Sequence, residues 1–222
     1  TWFKTFKVSV LVMIFCLMLG YPISYLLSTL PLKYSNLLMI CVLLPFWTSL
    51  LVRTVAWMVM LQQKGVFNNL LVMSNIIADE NRFKLMYNET ATIIVMTQIL
   101  LPFMVLPLYS VMKTISPSLM RAGKSLGATP TVAFFKVYFP LTIPGIGAGS
   151  ILVFILAIGY YITPALVGGS SGTFISNRIA YHISNSLNWG LGSAIGVILL
   201  GVVLLLFILY DRTVGIKNMK LG

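Results

Sequence analysis

Apolar residues run along this chain in long blocks, and most charged residues fall between the blocks rather than inside them. A membrane-crossing helix needs about 20 mostly apolar residues. Residues 8–32 make the first such block, uncharged, with Gly20, Pro22 and Pro31 toward its end. Residues 34–61 make the second, interrupted only by Arg53, and residues 90–112 the third, uncharged and carrying Pro102 and Pro107. Residues 137–177 are also uncharged, but as a single helix they would reach about 60 Å at about 1.5 Å per residue. The pattern therefore predicts a helix over 141–164, followed by a break at Gly168-Gly169-Ser170-Ser171-Gly172, where glycines let the chain turn. The last block, 189–210, closes a set of five. The expected fold is an all-α membrane protein, a polytopic helical bundle in which residues 1–222 form a single transmembrane domain.

Composition agrees. Apolar residues make up 59% and charged residues 9% of the 222, against about 45–50% and about 25% in soluble domains. A surplus of that size needs lipid as part of its solvent. The net charge of +11 does not point to nucleic acid, because the basic residues stand singly at block ends instead of forming a dense patch. Positive residues mark the cytoplasmic side of a membrane protein. Lys113, Arg121, Lys124 and Lys136 fall in one connection without any acid, and Arg212, Lys217 and Lys220 in the tail. Both are expected inside, with the charge-balanced connection 62–89 outside. Lys4 and Lys7 then lie on the outer side, against the rule.

Cys16 and Cys41 each sit within an apolar block and are expected as small buried hydrophobes, and His182 stands alone. No metal, cofactor or catalytic constellation can be assembled from these, so an enzyme is not expected. Residues 2–7 lead straight into a block too long for a signal-peptide core and lacking a cleavage site. A carrier coupled to protons or ions would keep Asp, Glu or His inside the membrane. Here Asp79, Glu80 and Glu89 fall in the outer connection and Asp211 at the end of the last block. A scaffold that only anchors other proteins remains open on the residues alone.

The connection 113–140 carries the most informative local pattern. Ser116-Pro117 reads as an N-cap followed by proline at the first helical position. Leu119, Met120, Ala122 and Leu126 follow, and Gly127 suits a left-handed C-cap. A short helix results, lying in the cytoplasm and ended by design. Thr129-Pro130 repeats the start signal, and a second helix leads through Phe134 and Phe135 to Pro140. An exposed apolar helix of this kind either docks into a partner's groove or rests on the lipid interface. Gly123-Lys124-Ser125 looks like the end of a phosphate-binding loop, but Ser118 stands where the first glycine is required and no strand precedes it. Nucleotide binding by this chain is not expected.

Arg121-Ala122-Gly123, then Gly127, then Val137-Tyr138-Phe139-Pro140 resembles the E-A-A-x-x-x-G-x₉-I-x-L-P loop of binding-protein-dependent ABC importer permeases. Arg121 replaces the Glu, Gly123 the second Ala, and Val137 and Phe139 the apolar pair. Further stretches are similar to the spermidine/putrescine branch of that family. They are Leu44-Pro45-Phe46-Trp47-Thr48-Ser49 with Val52-Arg53-Thr54, Gly65-Val66-Phe67-Asn68-Asn69, Thr163-Pro164-Ala165-Leu166-Val167-Gly168-Gly169 and Leu187-Asn188-Trp189.

The resemblance implies the transmembrane fold of a type I importer in a bacterial inner membrane, with one further helix N-terminal to the five seen here. It implies a second permease subunit, equal or different, an ABC ATPase subunit dimer that binds and hydrolyses the ATP, and an extracytoplasmic solute-binding protein. The residues that would couple to the ATPase are then Ser116, Pro117, Leu119, Met120, Arg121, Ala122, Gly123, Leu126, Gly127 and Pro140. The substrate it suggests is a polyamine or a similar small organic solute, with opines, phosphonates and ferric ion as other cargoes of relatives. Candidates for the translocation pathway are Trp47, Arg53, Trp57, Tyr160 and Tyr161. Arg53 reads equally as a pathway charge or as a side chain snorkelling to the outer interface. For each of the aromatics, interface belt and core packing is the favoured reading over a pathway role.

Overall fold

A computed structural model describes residues 1–169 and 173–214. Helix α1 spans Trp2–Thr29 and α2 spans Leu32–Leu43; a 3₁₀ turn, Leu44–Trp47, leads to α3, Leu50–Leu61, and α4, Val66–Met73. Then follow α5 (Glu89–Thr114), α6 (Pro117–Ser125), α7 (Pro130–Ala133), a π-helical turn (Phe134–Tyr138) and α8 (Phe139–Gly159). The described chain ends with α9 (Ile162–Val167), α10 (Ile175–Ser184) and α11 (Trp189–Val214).

Among the described residues four helices are long and apolar enough to cross a membrane, and a fifth crossing results if the bent pair Leu32–Trp47 and Leu50–Met73 counts as one. That pair corrects the expectation of a straight helix over 34–61, because its two halves meet at 95°. The cause is local. Pro45 lacks the N–H that an α-helix needs, so the chain tightens into the 3₁₀ turn, and Thr48 and Ser49 are extended before α3 restarts. The helix expected over 141–164 is corrected in the same way. It ends at Gly159, Tyr160 adopts an extended backbone, and Thr163 and Pro164 belong to the separate helix α9. Of the break expected at 168–172, Gly168 and Gly169 lie after α9, with Gly169 at φ +57°, and Ser170, Ser171 and Gly172 lie outside the described residues.

Helix α5 is the centre: 61% of its most apolar window is buried, against 6% for α11. It packs on α1 and α8 through Val8, Val12, Cys16, Met96, Leu100, Met104, Leu108, Val153 and Ala157. Between helices in lipid, close packing and polar ties replace the hydrophobic drive. Gly145 and Gly149, one turn apart on α8, make the α5 seam. A Cβ at Gly149 would lie 2.7 Å from Met104 Sδ and 3.2 Å from the Met104 carbonyl oxygen, and one at Gly145 3.0 Å from Val111 Cβ. Cys16 Sγ donates to the Thr97 carbonyl (3.4 Å) and Ser24 Oγ to the Val105 carbonyl (3.2 Å), tying α1 to α5.

Lys7 Nζ reaches Glu89 Oε2 at 2.8 Å. The lysine that counted against the expected orientation is therefore paired with an acid at the same end of the bundle. The connection 62–89 is more ordered than a polar loop. Arg82 bonds Asp79, Asn69 and the Gln63 carbonyl, while Asn68 exchanges side-chain bonds with both backbone groups of Phe83. Gly65 is required there, since a Cβ would meet the Val59 and Met60 carbonyls at 2.6 and 2.5 Å.

Candidate functional site

The helix between α5 and α7 forms where its caps dictate. Ser116 has an extended backbone and its Oγ accepts the Ser118 N–H (3.4 Å), with Pro117 at the first helical position. At the other end Gly127 lies at φ +84°, and two reverse bonds close the helix: Gly127 N–H to the Lys124 carbonyl (3.0 Å) and Ala128 N–H to the Gly123 carbonyl (3.1 Å). This is the Schellman arrangement, which satisfies carbonyls left over at the helix end.

No residue of α6 is buried. Met120 packs inward on the main core, while Leu126 stands 89% exposed and Leu119, Arg121 and Ala122 are exposed beside it. Gly123 is half-buried, with space for a Cβ 3.5 Å from that of Ala133. Pro140 is exposed in the first turn of α8. The structure thus groups the expected residues 116–127 as one capped unit, with Pro140 beyond the π turn. A cavity of about 250 Å³ lies behind Ser116, Pro117 and Met120, walled by Tyr25, Ser28 and Tyr138.

An aromatic cluster joins this unit to α1, which sequence reasoning missed. Phe134 meets Tyr25 edge-on at 5.7 Å and stacks with Tyr138 at 5.6 Å, and Tyr25 meets Tyr138 edge-on at 5.3 Å. Tyr138 and Ser28 hydroxyls pair at 3.3 Å, as do Tyr21 and Thr142. Such aromatic pairs add about 0.5–1.5 kcal/mol each beyond their burial. The density of aromatics at 134, 135, 138 and 139 was the available signal; their alignment with Tyr21 and Tyr25 follows only from how the helices pack.

A second group lies around α3. Trp57 Nε1 donates to Gln98 Oε1 (3.1 Å) and its ring stacks on Phe67 at 6.0 Å. One turn earlier on α3 stands Arg53, half-buried, and Tyr160 packs against the same core cluster as Trp57. Thr54 and Thr163 hydroxyls meet at 3.4 Å. Tyr160 and Tyr161 are held through their carbonyls by Ser176 and Asn177. Arg53, Trp57 and Tyr160 therefore come together, Tyr161 sits at the edge, 46% exposed, and Trp47 stands apart on the bend, 88% exposed. Gln98, Thr54 and Thr163 were not anticipated, although a lone glutamine inside an apolar block is itself a signal. No group of three or more His, Cys, Asp or Glu suited to a metal occurs among the described residues.

The alginate ABC transporter crystallised with its alginate-bound periplasmic protein contains a chain of the same fold, with TM-score 0.78 and 16% identity over 100% of this chain and 79% of that one. A second alginate importer structure matches at TM-score 0.71. The spermidine/putrescine transport system permease protein PotB of Haemophilus influenzae is 38% identical over 207 residues, 93% of this chain and 72% of the relative. The protein of that name from Escherichia coli is 36% identical over 205 residues, covering 92% and 74%. Residues 5–214 match the family of binding-protein-dependent transport system inner membrane components. With its short helix capped at both ends, its bundle of apolar helices and a family match over nearly its whole length, the chain belongs to that family and is a multi-pass inner membrane permease subunit of an ABC importer.

Proposed function

We propose that this chain forms half of the translocation pathway for a polyamine, spermidine or putrescine, or a similar small organic solute. A second permease subunit supplies the other half, and an extracytoplasmic binding protein delivers the solute. ATP is bound and hydrolysed by a separate ATPase dimer, and α6 is the element that docks into it. The observation that carries the docking is α6 itself, capped at both ends, anchored by Met120 and presenting Leu119 and Leu126 outward. An apolar face on a rigid short helix suits a groove in a partner.

ATP-driven closure of the ATPase pair would draw the two permeases' docking helices together. The aromatic cluster around Phe134 and Tyr138 then carries the displacement into α1 and α8 as a rigid-body motion. The polyamine assignment is supported by the relatives' names and their identity to this chain. The test is uptake of labelled spermidine and putrescine by a strain lacking this chain and by the same strain complemented. Loss and recovery of uptake supports the reading; unchanged uptake in the deletion strain refutes the substrate. Recovery of the tagged chain from mild detergent without an ATPase subunit refutes the docking role.

A further inference from the structure

Two cavities lie end to end along the flank of α1 and α5. The outer one, about 610 Å³, has Trp57 of α3 in its wall, and the inner one, about 350 Å³, reaches α2 and Pro45 at the bend. Gln98 and Leu101 line both, so the cavities meet at that turn of α5. On α1 the lining runs from Leu11 to Leu27, a rise of about 24 Å at about 1.5 Å per residue. That is most of a hydrocarbon core about 30 Å thick.

No charged residue lines either cavity. Thr90 sits at the outer mouth, in the first turn of α5, and the Thr97 hydroxyl oxygen is sealed within the packing. Cys41 brings only a thiol, a weak hydrogen-bonding group. Gln98 is therefore the strong polar group at the junction. It stands nine residues after Glu89, the first residue of α5, and so about 14 Å below the outer end of that helix. Trp57 fixes its amide: the indole Nε1 donates to Gln98 Oε1 at 3.1 Å, and the indole ring is itself stacked on Phe67. Trp57 lines the outer cavity and not the inner one, so this bond turns the amide oxygen to the outer side. An amide oxygen has two lone pairs. The indole takes one, and no other described residue takes the second.

We propose that Gln98 Oε1 is the mid-membrane acceptor for the N–H groups of the passing solute, with Trp57 as the residue that positions it. The inference rests on the polyamine reading above and adds the chemistry of the route. A polyamine alternates ammonium groups, which donate and do not accept, with runs of methylene. The apolar walls suit the methylenes, and the amide oxygen suits the ammonium. A solute N–H shares that oxygen with the indole or takes its place, and in neither case is the oxygen left unpaired. A solute without a donor gains nothing there. Hydrogen bonds from an ionised donor are about twice as strong as neutral ones, so the contact discriminates. Being uncharged, the acceptor still releases its ligand, as a conducting route requires of each site along it.

The test uses the complete transporter in vesicles, with both permeases, the ATPase pair and the binding protein. Gln98→Leu, Gln98→Glu and Trp57→Phe are compared for spermidine imported per ATP hydrolysed and for melting of the purified complex. Q98L and W57F lose the same hydrogen bond, so both should melt at a lower temperature than wild type. Their transport should differ. Q98L has no acceptor and should import about tenfold less or worse, the worth of a hydrogen bond to a charged group. W57F keeps the oxygen and should retain most of its import. Q98E keeps an acceptor of the same shape and should recover the import that Q98L loses. Should Q98L fail to insert, Gln98→Met, of similar length and without a strong acceptor, takes its place.

Wild-type import by Q98L overturns the proposal, and is the result expected if a lipid chain fills the two cavities, since hydrocarbon makes no use of an acceptor. Equal loss of import in Q98L and W57F also overturns it, because the pair is then only a tie between α3 and α5. So does a Q98E transporter no better than Q98L. If the wild-type complex imports no polyamine, the polyamine reading fails and takes this inference with it. Normal wild-type import beside an unaffected Q98L refutes the role of Gln98 alone.

Discussion

Gly127 is the point where a small change should separate ATP use from transport. It sits at φ +84° with no atom within 4 Å of where a Cβ would be. Substitution there meets no clash, so its effect is confined to backbone conformation. An L-residue in the left-handed region costs about 1–2 kcal/mol, and a β-branched one sits at the upper end because its χ1 freedom is already restricted. The strained state can relax only by opening the bonds from Gly127 to Lys124 and from Ala128 to Gly123. A shift of about 1–2 kcal/mol changes the balance between closed and frayed ends by a factor of about 5–30.

Gly127→Val should therefore insert and assemble normally but lose the defined end of α6. In vesicles carrying the whole transporter, the ratio of solute imported to ATP hydrolysed should fall several-fold, within that range of about 5–30. Gly127→Asn should fall much less, since Asn tolerates the left-handed region. Gly123→Ala should have little effect, because its Cβ would meet Ala133 at an ordinary 3.5 Å. A Gly127→Val transporter with a normal import-to-ATP ratio refutes the docking role of this helix end.

Leu126→Asp alters a side chain that is 89% exposed, so stability of the isolated chain should stay within about 0.5 kcal/mol while transport-coupled ATP use is lost; thermal melting and the import-to-ATP ratio check the two halves. Gly149→Leu drives a side chain against the Met104 backbone and should destabilise the α5–α8 seam by about 1–3 kcal/mol, read as a lower melting temperature in detergent. Trp57→Phe removes the donor to Gln98 Oε1 and leaves that amide oxygen unpaired, a cost of about 1–3 kcal/mol, again read by melting. Lys7→Gln breaks an ion pair whose lysine is 47% exposed, so it should cost at most about 1 kcal/mol and less in high salt.

The apolar blocks were legible in the chain because lipid imposes the same demand on every crossing helix, that it be long, uncharged and internally hydrogen-bonded. The ends of α6 were legible for a related reason: Ser116-Pro117 and Gly127 act through their own backbone and near neighbours, without help from the rest of the fold. Arg53, Trp57, Tyr160 and Tyr161 could be picked out as candidates, but nothing local could say that three would meet and Trp47 would not. That depended on the bend at Pro45 and on the end of α8 at Gly159. A proline within an apolar block is compatible with a kink, a break or a straight helix rescued by neighbours, so the 95° angle was decided by packing. The aromatic link from Phe134 and Tyr138 to Tyr25 spans more than a hundred residues of sequence, and the Cys16 and Ser24 ties to α5 span 81 each. Local composition dictates which segments enter the bilayer; contacts at such separations exist only once the helices have packed against one another.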